Sequence, residues 1–436
     1  MSWPSTPGPT NYQHPYPNYQ LNDLHQAMDY NSAGEPIIRV ATYPGATNIA
    51  STDAFGRARV AEPFTLFDSA FIGADDPLKY NTATTGGGTT SYNSYASTVS
   101  LTVGTASGDQ VIRQSYRTFP YQPGKALEIF SSFVFAPSQT NLRQRIGYFT
   151  NYNGIYLENA GGTINLVIRQ QTGASTYVEE QVAQTDWNVD TLNGAGPSGI
   201  TINWSTAQIF YTAIEWLGVG TVFCGFIING QYILAHEFNH ANSDTSTYMQ
   251  SAQQSIRFEI TNTGTTTGAS MTQVCSSVIS SGGYNPQATQ RFAGRGLTYY
   301  TMATAGTYYN LVSLRLGTDG LAYNKVVYLD SLNVLTDSNQ NLQWQAILNP
   351  TFSAGPTWGN ATTFTQSTTS NVTVTGGTVI GSGYVVNKGE PASLSGDTFK
   401  YQIGRSIAGV SDVICIAVTA DSNNVKLGGD AGFFEI

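Results

Sequence analysis

Hydrophobic and polar residues alternate with a period of two along much of the chain. Val99, Leu101 and Val103 are separated by single polar residues, a pattern typical of a strand with one buried face. Two apolar runs within residues 221–238 flank the dipeptide Asn229-Gly230, which suits the tight turn of a β-hairpin. Many short runs of this kind, separated by Gly, Asn and Ser, predict an all-β protein.

The pattern divides the chain into four parts. Residues 1–45 are predicted to be an extended N-terminal arm with one short helix, and residues 46–70 a connector. Strand follows strand over residues 71–285, for which we expect a jelly-roll-like β-sandwich. A second, smaller β-sandwich domain is predicted over residues 286–436.

The arm combines prolines with aromatic residues. Proline fixes φ and removes backbone donors, so an extended conformation is expected over residues 1–19. Leu21, Leu24 and Met28 then follow the spacing of a short helix with one apolar face. Because a helix of two turns is marginal in water, we expect the arm to pack on a partner protein. The residues predicted to anchor it are Trp3, Tyr12, Tyr16, Tyr19, Leu21, Leu24 and Met28.

Composition narrows the classes of function. Charged residues make up 11% of the chain, against roughly 25% in average soluble domains. The formal net charge is −9 without any run of Lys or Arg, which argues against a nucleic-acid partner. No apolar stretch is long enough to span a membrane. The start lacks the pattern of a secretory signal, and the three cysteines are far apart, so we expect synthesis in a reducing cytoplasm.

The segment His236-Glu237-Phe238-Asn239-His240 matches the zinc-protease pattern H-E-x-x-H. That pattern binds zinc on a helix, where the two histidines share one face. Here the segment continues the predicted hairpin, and on a strand residues 236 and 240 would be about 13 Å apart. This separation is too large for two ligands of one zinc ion. We therefore predict no metal and no cofactor.

Other catalytic patterns are weak. Glu179-Glu180 and the pair Asp186 and Asp190 are the close carboxylates of the main domain, and carboxylates in turns are usually solvated. Glycosidase carboxylates are paired in space rather than in sequence, so hydrolysis of glycans stays open as an alternative. We assign no catalytic residue and expect that the protein is not an enzyme. Trp187, in a turn-rich segment, is the candidate for a surface contact with a glycan.

Several segments of the sequence resemble predicted virion structural proteins of tailed phages, notably cyanophages and other marine phages. The segments are Ser51–Val60, Pro63–Ser69, Tyr121–Lys125, Arg145–Phe149, Ile214–Gly220 and His240–Asn242. The resemblance covers roughly residues 20–285. It implies a component of the virion, attached to the capsid or the tail, with no catalytic residues to carry over.

The first functional hypothesis is therefore a structural virion protein, a capsid decoration, minor capsid or tail-associated subunit that binds other virion proteins. Virion parts are repeated by symmetry, so we expect a homo-oligomer, with a trimer as the working assumption. The alternative is a receptor- or glycan-binding module of a tail fibre that contacts a host surface glycan. An enzyme that cleaves surface polysaccharide is the third hypothesis.

Overall fold

The computed structural model describes residues 28–30, 36–38, 63–284, 288–318, 325–337, 339–385 and 401–436. Within these ranges the regular structure is made of strands, together with one 3₁₀ turn at Gln184–Asp186. The predicted fold class, an all-β protein with a jelly-roll-like sandwich followed by a smaller one, is confirmed. No helix in the described part is long and apolar enough to cross a membrane.

Two short strands belong to the predicted arm, β1 (Met28–Tyr30) and β2 (Pro36–Ile38), and they pair in antiparallel fashion. The helix predicted through Leu21, Leu24 and Met28 is therefore wrong at Met28, which begins a strand. An isolated helix of two turns is marginal in water, whereas strand pairing satisfies the backbone groups of Met28–Tyr30. The other anchoring residues, Trp3, Tyr12, Tyr16, Tyr19, Leu21 and Leu24, lie outside the described residues.

The N-terminal sandwich comprises residues 63–284. Its strands are β3 (Phe64–Ser69), β4 (Tyr80–Thr85), β5 (Thr89–Asn93), β6 (Thr98–Val103), β7 (Gln110–Ser115), β8 (Ala126–Val134), β9 (Leu142–Phe149), β10 (Gly154–Ala160), β11 (Thr163–Gln171), β12 (Tyr177–Ala183), β13 (Gln208–Ile214), β14 (Val222–Ile228), β15 (Gln231–Phe238), β16 (Ile256–Asn262) and β17 (Ala269–Ser281). Strand β3 falls within the segment predicted to be a connector and pairs with β17.

Two antiparallel sheets form this sandwich. The seven-stranded sheet has the order β12-β11-β10-β9-β16-β7-β4, and the eight-stranded sheet has the order β15-β14-β13-β8-β17-β6-β5. Their facing side chains form one continuous apolar core. The alternation seen in the sequence of β6 reappears as an alternation of half-buried and buried residues. Asn229 and Gly230, between β14 and β15, have positive φ angles of 52° and 76° respectively, as expected for the tight turn predicted there.

The C-terminal sandwich comprises the described residues from 288 to 436. Its strands are β18 (Thr289–Met302), β19 (Tyr309–Leu316), β20 (Val327–Leu335), β21 (Leu342–Leu348), β22 (Thr351–Phe352), β23 (Gly359–Asn360), β24 (Thr365–Thr368), β25 (Val374–Thr375), β26 (Thr378–Val385), β27 (Val413–Ala420) and β28 (Val425–Glu435). A three-stranded sheet, β18-β28-β20, packs on a six-stranded sheet, β23-β24-β19-β27-β21-β26, around a second apolar core. Strands β22 and β25 pair separately.

Candidate functional site

A large cleft lies between the two sandwiches, with a volume of about 860 Å³. Ligand-binding pockets for small molecules usually fall between about 300 and 1,000 Å³. One wall belongs to the N-terminal sandwich and the other to the C-terminal sandwich, so neither sandwich forms the cleft by itself. We take this cleft as the candidate binding site.

The N-terminal wall is built where strands of the seven-stranded sheet end. The ends of β7 and β11, the turn between β9 and β10, and the segment before β16 contribute to it. All its lining side chains are uncharged, and most are amides or hydroxyls. They are Gln114, Tyr116, Thr118, Thr150, Asn151, Tyr152, Asn153, Gln171, Thr172, Gly173, Ala174, Ser175, Gln250, Gln253, Gln254 and Ser255.

Asn153 fixes the geometry of this wall. The residue is 2% exposed. Its amide oxygen accepts hydrogen bonds from the backbone N–H groups of Gln171, at 3.0 Å, and Gln250, at 3.1 Å. Its amide nitrogen donates to the side-chain oxygens of the same two residues at 3.0 and 3.3 Å. One buried amide therefore joins the β9–β10 turn to the end of β11 and to the segment before β16.

Asn151 and Tyr152 lie at the tip of the same turn. Arg257 donates to the side-chain oxygen of Asn151 at 2.7 Å, and Arg169 donates to its backbone oxygen at 3.0 Å. Tyr152 is partly exposed and lines the cleft. The turn is thus held from behind by two buried arginines while a tyrosine ring remains available at the cleft.

The C-terminal wall comes from Leu316, Lys325 and the segment 403–408. This segment is tied to its own sandwich by the hydrogen bond from the Ile403 N–H to the Val327 oxygen, at 2.8 Å, and by a β-bridge between Arg405 and Ser411. Among the described residues lining the cleft, Lys325 and Arg405 are the charged ones, and none is Asp or Glu.

Hydrogen bonds between described residues join the two sandwiches at the cleft. The Arg405 N–H donates to the backbone oxygen of Tyr116 at 2.8 Å. The Gln402 side chain donates to the backbone oxygen of Thr118 at 2.7 Å, and the Ile407 N–H donates to the side-chain oxygen of Asn81 at 2.9 Å. The floor of the cleft is therefore fixed by contacts between the two sandwiches.

A cluster of carboxylates and arginines lies on the face of the seven-stranded sheet that points away from the apolar core. Glu259 is 2% exposed and accepts a hydrogen bond from Arg257 at 2.7 Å. Despite the opposing effect of burial, the neighbouring arginines Arg257, Arg145 and Arg143 lower the pKa of Glu259 to about 2. A glycosidase acid needs a raised pKa, so Glu259 is unsuited to that role.

Two of the carboxylates singled out in the sequence, Glu179 and Asp190, have structural partners. Glu179 accepts hydrogen bonds from Tyr156 and Arg169 at 2.6 Å each, and these bonds lower its pKa although its burial acts in the opposite direction. Asp190 accepts from the N–H groups of Leu192 and Ser198 at 2.8 Å each. Neither residue lines the cleft.

The two histidines of the H-E-x-x-H segment have separate environments. Strand β15 ends at Phe238, so His236 lies on the strand and His240 beyond it. His236 Nδ1 accepts from the Asn188 N–H at 3.1 Å, and burial lowers the pKa of His236 to about 4. His240 bonds the Gly220 oxygen at 2.8 Å. Among the described residues, no three His, Cys, Asp or Glu side chains are grouped so that they could hold a metal ion.

Trp187 is not a surface residue, and its assignment as a glycan contact is wrong. It is 4% exposed and belongs to the core of the N-terminal sandwich. Its ring stacks on Phe226 with centroids 6.1 Å apart, and its indole N–H donates to the Val182 oxygen at 3.3 Å. The turn-rich sequence around it folds back over the sheet, and the large apolar ring fills the space beneath.

Sequence reasoning missed the residues of the cleft. They come from segments that are far apart in the chain, and no local motif marks them. The abundance of Asn, Gln and Tyr was the one available signal, but it could not show which of these side chains converge.

No protein-family model matches the chain, and no curated protein matches it significantly. Several solved structures are similar to about half of it. They include a β-glucanase of Bacillus licheniformis (11% identity, 50% of this chain and 98% of that chain, TM-score 0.33). The carbohydrate recognition domain of Emp47p is similar at 9% identity (50% of this chain and 96% of that chain, TM-score 0.32). A glycoside hydrolase family 16 protein of Bacteroides ovatus is similar at 12% identity (49% of this chain and 99% of that chain, TM-score 0.33).

These comparisons correct one prediction from the sequence. The expectation that the protein is not an enzyme is overturned, because several of the similar structures are glycoside hydrolases. The TM-scores are too low for any substrate or reaction to be carried over to this chain. Its family is therefore left unassigned, and its function rests on the geometry of the cleft.

Proposed function

We propose that this protein binds carbohydrate in the cleft between its two sandwiches. The observation that carries the proposal is the lining of the N-terminal wall, which consists of uncharged amides, hydroxyls and tyrosines. Amides offer both donors and acceptors, and sugar hydroxyls need both. The cleft is therefore matched to a ligand with many hydroxyl groups rather than to an apolar ligand.

Rigidity supports the same proposal. The wall residues Asn153 and Gln254 are 2% and 1% exposed and are held by several hydrogen bonds. Polar groups fixed before a ligand arrives lose little conformational freedom on binding. The partly exposed rings of Tyr116 and Tyr152 line the same cleft, and an aromatic ring with a polar edge suits contact with a sugar.

Calorimetric titration with panels of neutral and acidic oligosaccharides tests the proposal. The unmodified protein should bind at least one class, and Tyr152→Ala should weaken that binding by about two- to tenfold, since an aromatic contact is worth about 0.5–1.5 kcal/mol beyond its area. Tyr95→Ala is the matched control, because Tyr95 is fully exposed and does not line the cleft. Absence of binding across both panels would overturn the proposal.

The role within a virion stays a prediction based on the resemblance. So do the virion partners, the homo-oligomer and the location. A glycan-binding cleft fits the alternative in which the chain recognises a host surface glycan. The cleft itself offers no carboxylate among its described residues, so we propose binding there and assign no reaction to it.

A further inference from the structure

The chain contains three Asn-Gly dipeptides, at residues 153–154, 193–194 and 229–230. Asparagine is a labile residue, and a following glycine exposes its backbone nitrogen because it has no Cβ. That nitrogen loses its proton to solvent and attacks the side-chain carbonyl carbon of the asparagine. The C–N bond of the side-chain amide breaks, and the amide nitrogen takes up a proton and leaves as ammonia. Water then opens the cyclic imide to aspartate or to isoaspartate, which adds one carbon to the main chain.

The dipeptide Asn153-Gly154 is buried and held by many hydrogen bonds. Asn153 is 2% exposed, and its side chain forms four hydrogen bonds with Gln171 and Gln250. Gly154 begins β10 and pairs with Phe149 on one side and Arg169 on the other. The reaction at this site therefore requires the β9–β10 turn to open first.

The dipeptide Asn193-Gly194 is exposed, but both of its reacting groups are engaged. Asn193 Oδ1 accepts hydrogen bonds from the Thr191 hydroxyl and the Ala195 N–H at 2.9 Å each. The Gly194 N–H, whose nitrogen would attack, donates to the Ile200 oxygen at 3.0 Å. These hydrogen bonds must break before the two groups can react with each other.

The dipeptide Asn229-Gly230 has neither form of protection. It forms the exposed turn between β14 and β15. Among the described residues, none makes a hydrogen bond with the Asn229 side chain or the Gly230 N–H. A Cβ placed on Gly230 would meet no described atom within 4 Å, so there is open space around the turn. An exposed turn of this kind opens locally at little cost in free energy.

We infer that Asn229 is the site of spontaneous deamidation in the folded protein, and that isoaspartate at this position loosens the start of β15. A two-residue turn matches the twist of the strands that it joins, and the added main-chain carbon disturbs that match. Strand β15 lies at the end of the eight-stranded sheet and pairs with β14 alone among the described strands. The turn does not line the cleft, so the inference is independent of carbohydrate binding.

Peptide mapping by mass spectrometry measures the reaction at each site while the folded protein is kept at mildly alkaline pH. Asn229 should deamidate at least about tenfold faster than Asn153, because the reaction at Asn153 must wait for a buried, hydrogen-bonded turn to open. Asn193 should also react more slowly than Asn229. In protein unfolded by denaturant the three sites should react at similar rates, since the protecting hydrogen bonds are then broken.

Asn229→Gly is the matched variant for the effect on the hairpin. Gly-Gly suits the same type of turn, and the variant has no side-chain amide at position 229. After equal incubation, hydrogen exchange in residues 231–234 should be severalfold faster in the unmodified protein than in Asn229→Gly. Before incubation the two proteins should exchange at similar rates.

Deamidation of Asn153 or Asn193 in the folded protein at the rate of Asn229 would overturn the inference. So would the same order of rates in denaturant, because the local sequence rather than the fold would then set that order. Equal exchange in the two incubated proteins would show that the hairpin accommodates isoaspartate, and the loosening of β15 would be wrong.

Discussion

Glu259 shows how one residue can hold several strands of the seven-stranded sheet together. Its carboxylate accepts from Arg257 at 2.7 Å and lies 3.6 Å from both Arg143 and Arg145. Arg145 in turn pairs with Glu158 at 2.7 Å. Removing one partner from a buried network leaves other charges unpaired, which costs more than the pair itself contributes.

The pKa of Glu259 makes the stability of the fold depend on pH. The pKa of Glu259 is about 2 in the folded protein, below its ordinary 4.5, so the unfolded chain binds the proton first. The stabilising contribution is complete above pH of about 4.5 and is lost as the pH falls toward 2. It amounts to about 3 kcal/mol. Denaturant unfolding of the unmodified protein at a series of pH values should show this decline.

Glu259→Gln is the variant that tests the origin of the decline. At neutral pH it should lower the free energy of unfolding by about 3 kcal/mol, and near pH 2 it should differ much less from the unmodified protein. Glu180→Gln, at an exposed position of β12, should follow the unmodified curve. A Glu259 variant with the same pH dependence as the unmodified protein would contradict the assignment.

The burial of Trp187 could not be predicted from the composition of its segment. Its neighbours Asn188 and Asp190 gave the segment the composition of an exposed turn. In the structure both are held by specific bonds. The amide of Asn188 bonds the backbone N–H and oxygen of Glu237 at 2.9 Å each, and Asp190 is 3% exposed. Polar residues that are hydrogen-bonded can be buried, so composition alone could not place the ring.

At the scale of elements, the sequence predicted strand pairing correctly where the two strands follow each other in the chain. The hairpin of β14 and β15 and the alternation in β6 follow directly from the sequence. The pairs β9–β16 and β8–β17 join segments that are more than 100 residues apart. Their register depends on which apolar faces meet in the core, and no local pattern records that choice.

The β9–β10 turn should depend on the side chain of Asn153 for both its stability and its position. Asn153 binds two other segments through all four of its side-chain hydrogen bonds. Asn153→Ala would leave the partly buried N–H of Gln171 unsatisfied and should destabilise the protein by about 2–4 kcal/mol. It should also weaken carbohydrate binding, since Asn151 and Tyr152 would lose their fixed position.

Chemical denaturation and calorimetric titration measure the two effects. Asn203→Ala is the control, because this residue bonds only within its own exposed turn among the contacts described. A loss of stability in Asn153→Ala without any loss of affinity would show that the turn does not position the binding wall.

At the scale of the whole molecule, the sequence predicted two sandwiches but not the cleft between them. The cleft needs residues 114–118, 150–153, 171–175, 250–255 and 403–408 to converge. Residues 403–408 contact the N-terminal sandwich through the backbone N–H groups of Arg405 and Ile407. A backbone N–H is present at nearly every residue, so these donors do not mark the contact in the sequence. The relative placement of the two sandwiches is therefore encoded in a few side chains whose partners are more than 280 residues away.

Asn81 is the side chain that connects this placement to binding. It donates to the Tyr116 hydroxyl at 3.3 Å and accepts from the Ile407 N–H at 2.9 Å, so it contacts both walls of the cleft. Each sandwich has its own core, and Asn81→Ala should change the free energy of unfolding by only about 1 kcal/mol. Carbohydrate affinity should fall severalfold, because the walls would no longer be held at a fixed separation.

Hydrogen exchange distinguishes a loosened cleft from a lost contact with the ligand. Without ligand, Asn81→Ala should speed exchange in residues 403–408 while the strands of both cores stay protected. Asn333→Ala, at an exposed position of β20 that does not line the cleft, should leave exchange and affinity unchanged. If residues 403–408 keep their protection in the Asn81 variant while affinity still falls, the side chain acts on the ligand directly. The hydrogen bonds that the Gln402 side chain and the Arg405 N–H donate to Thr118 and Tyr116 would then be enough to hold the two sandwiches together, and the cleft would be rigid without Asn81.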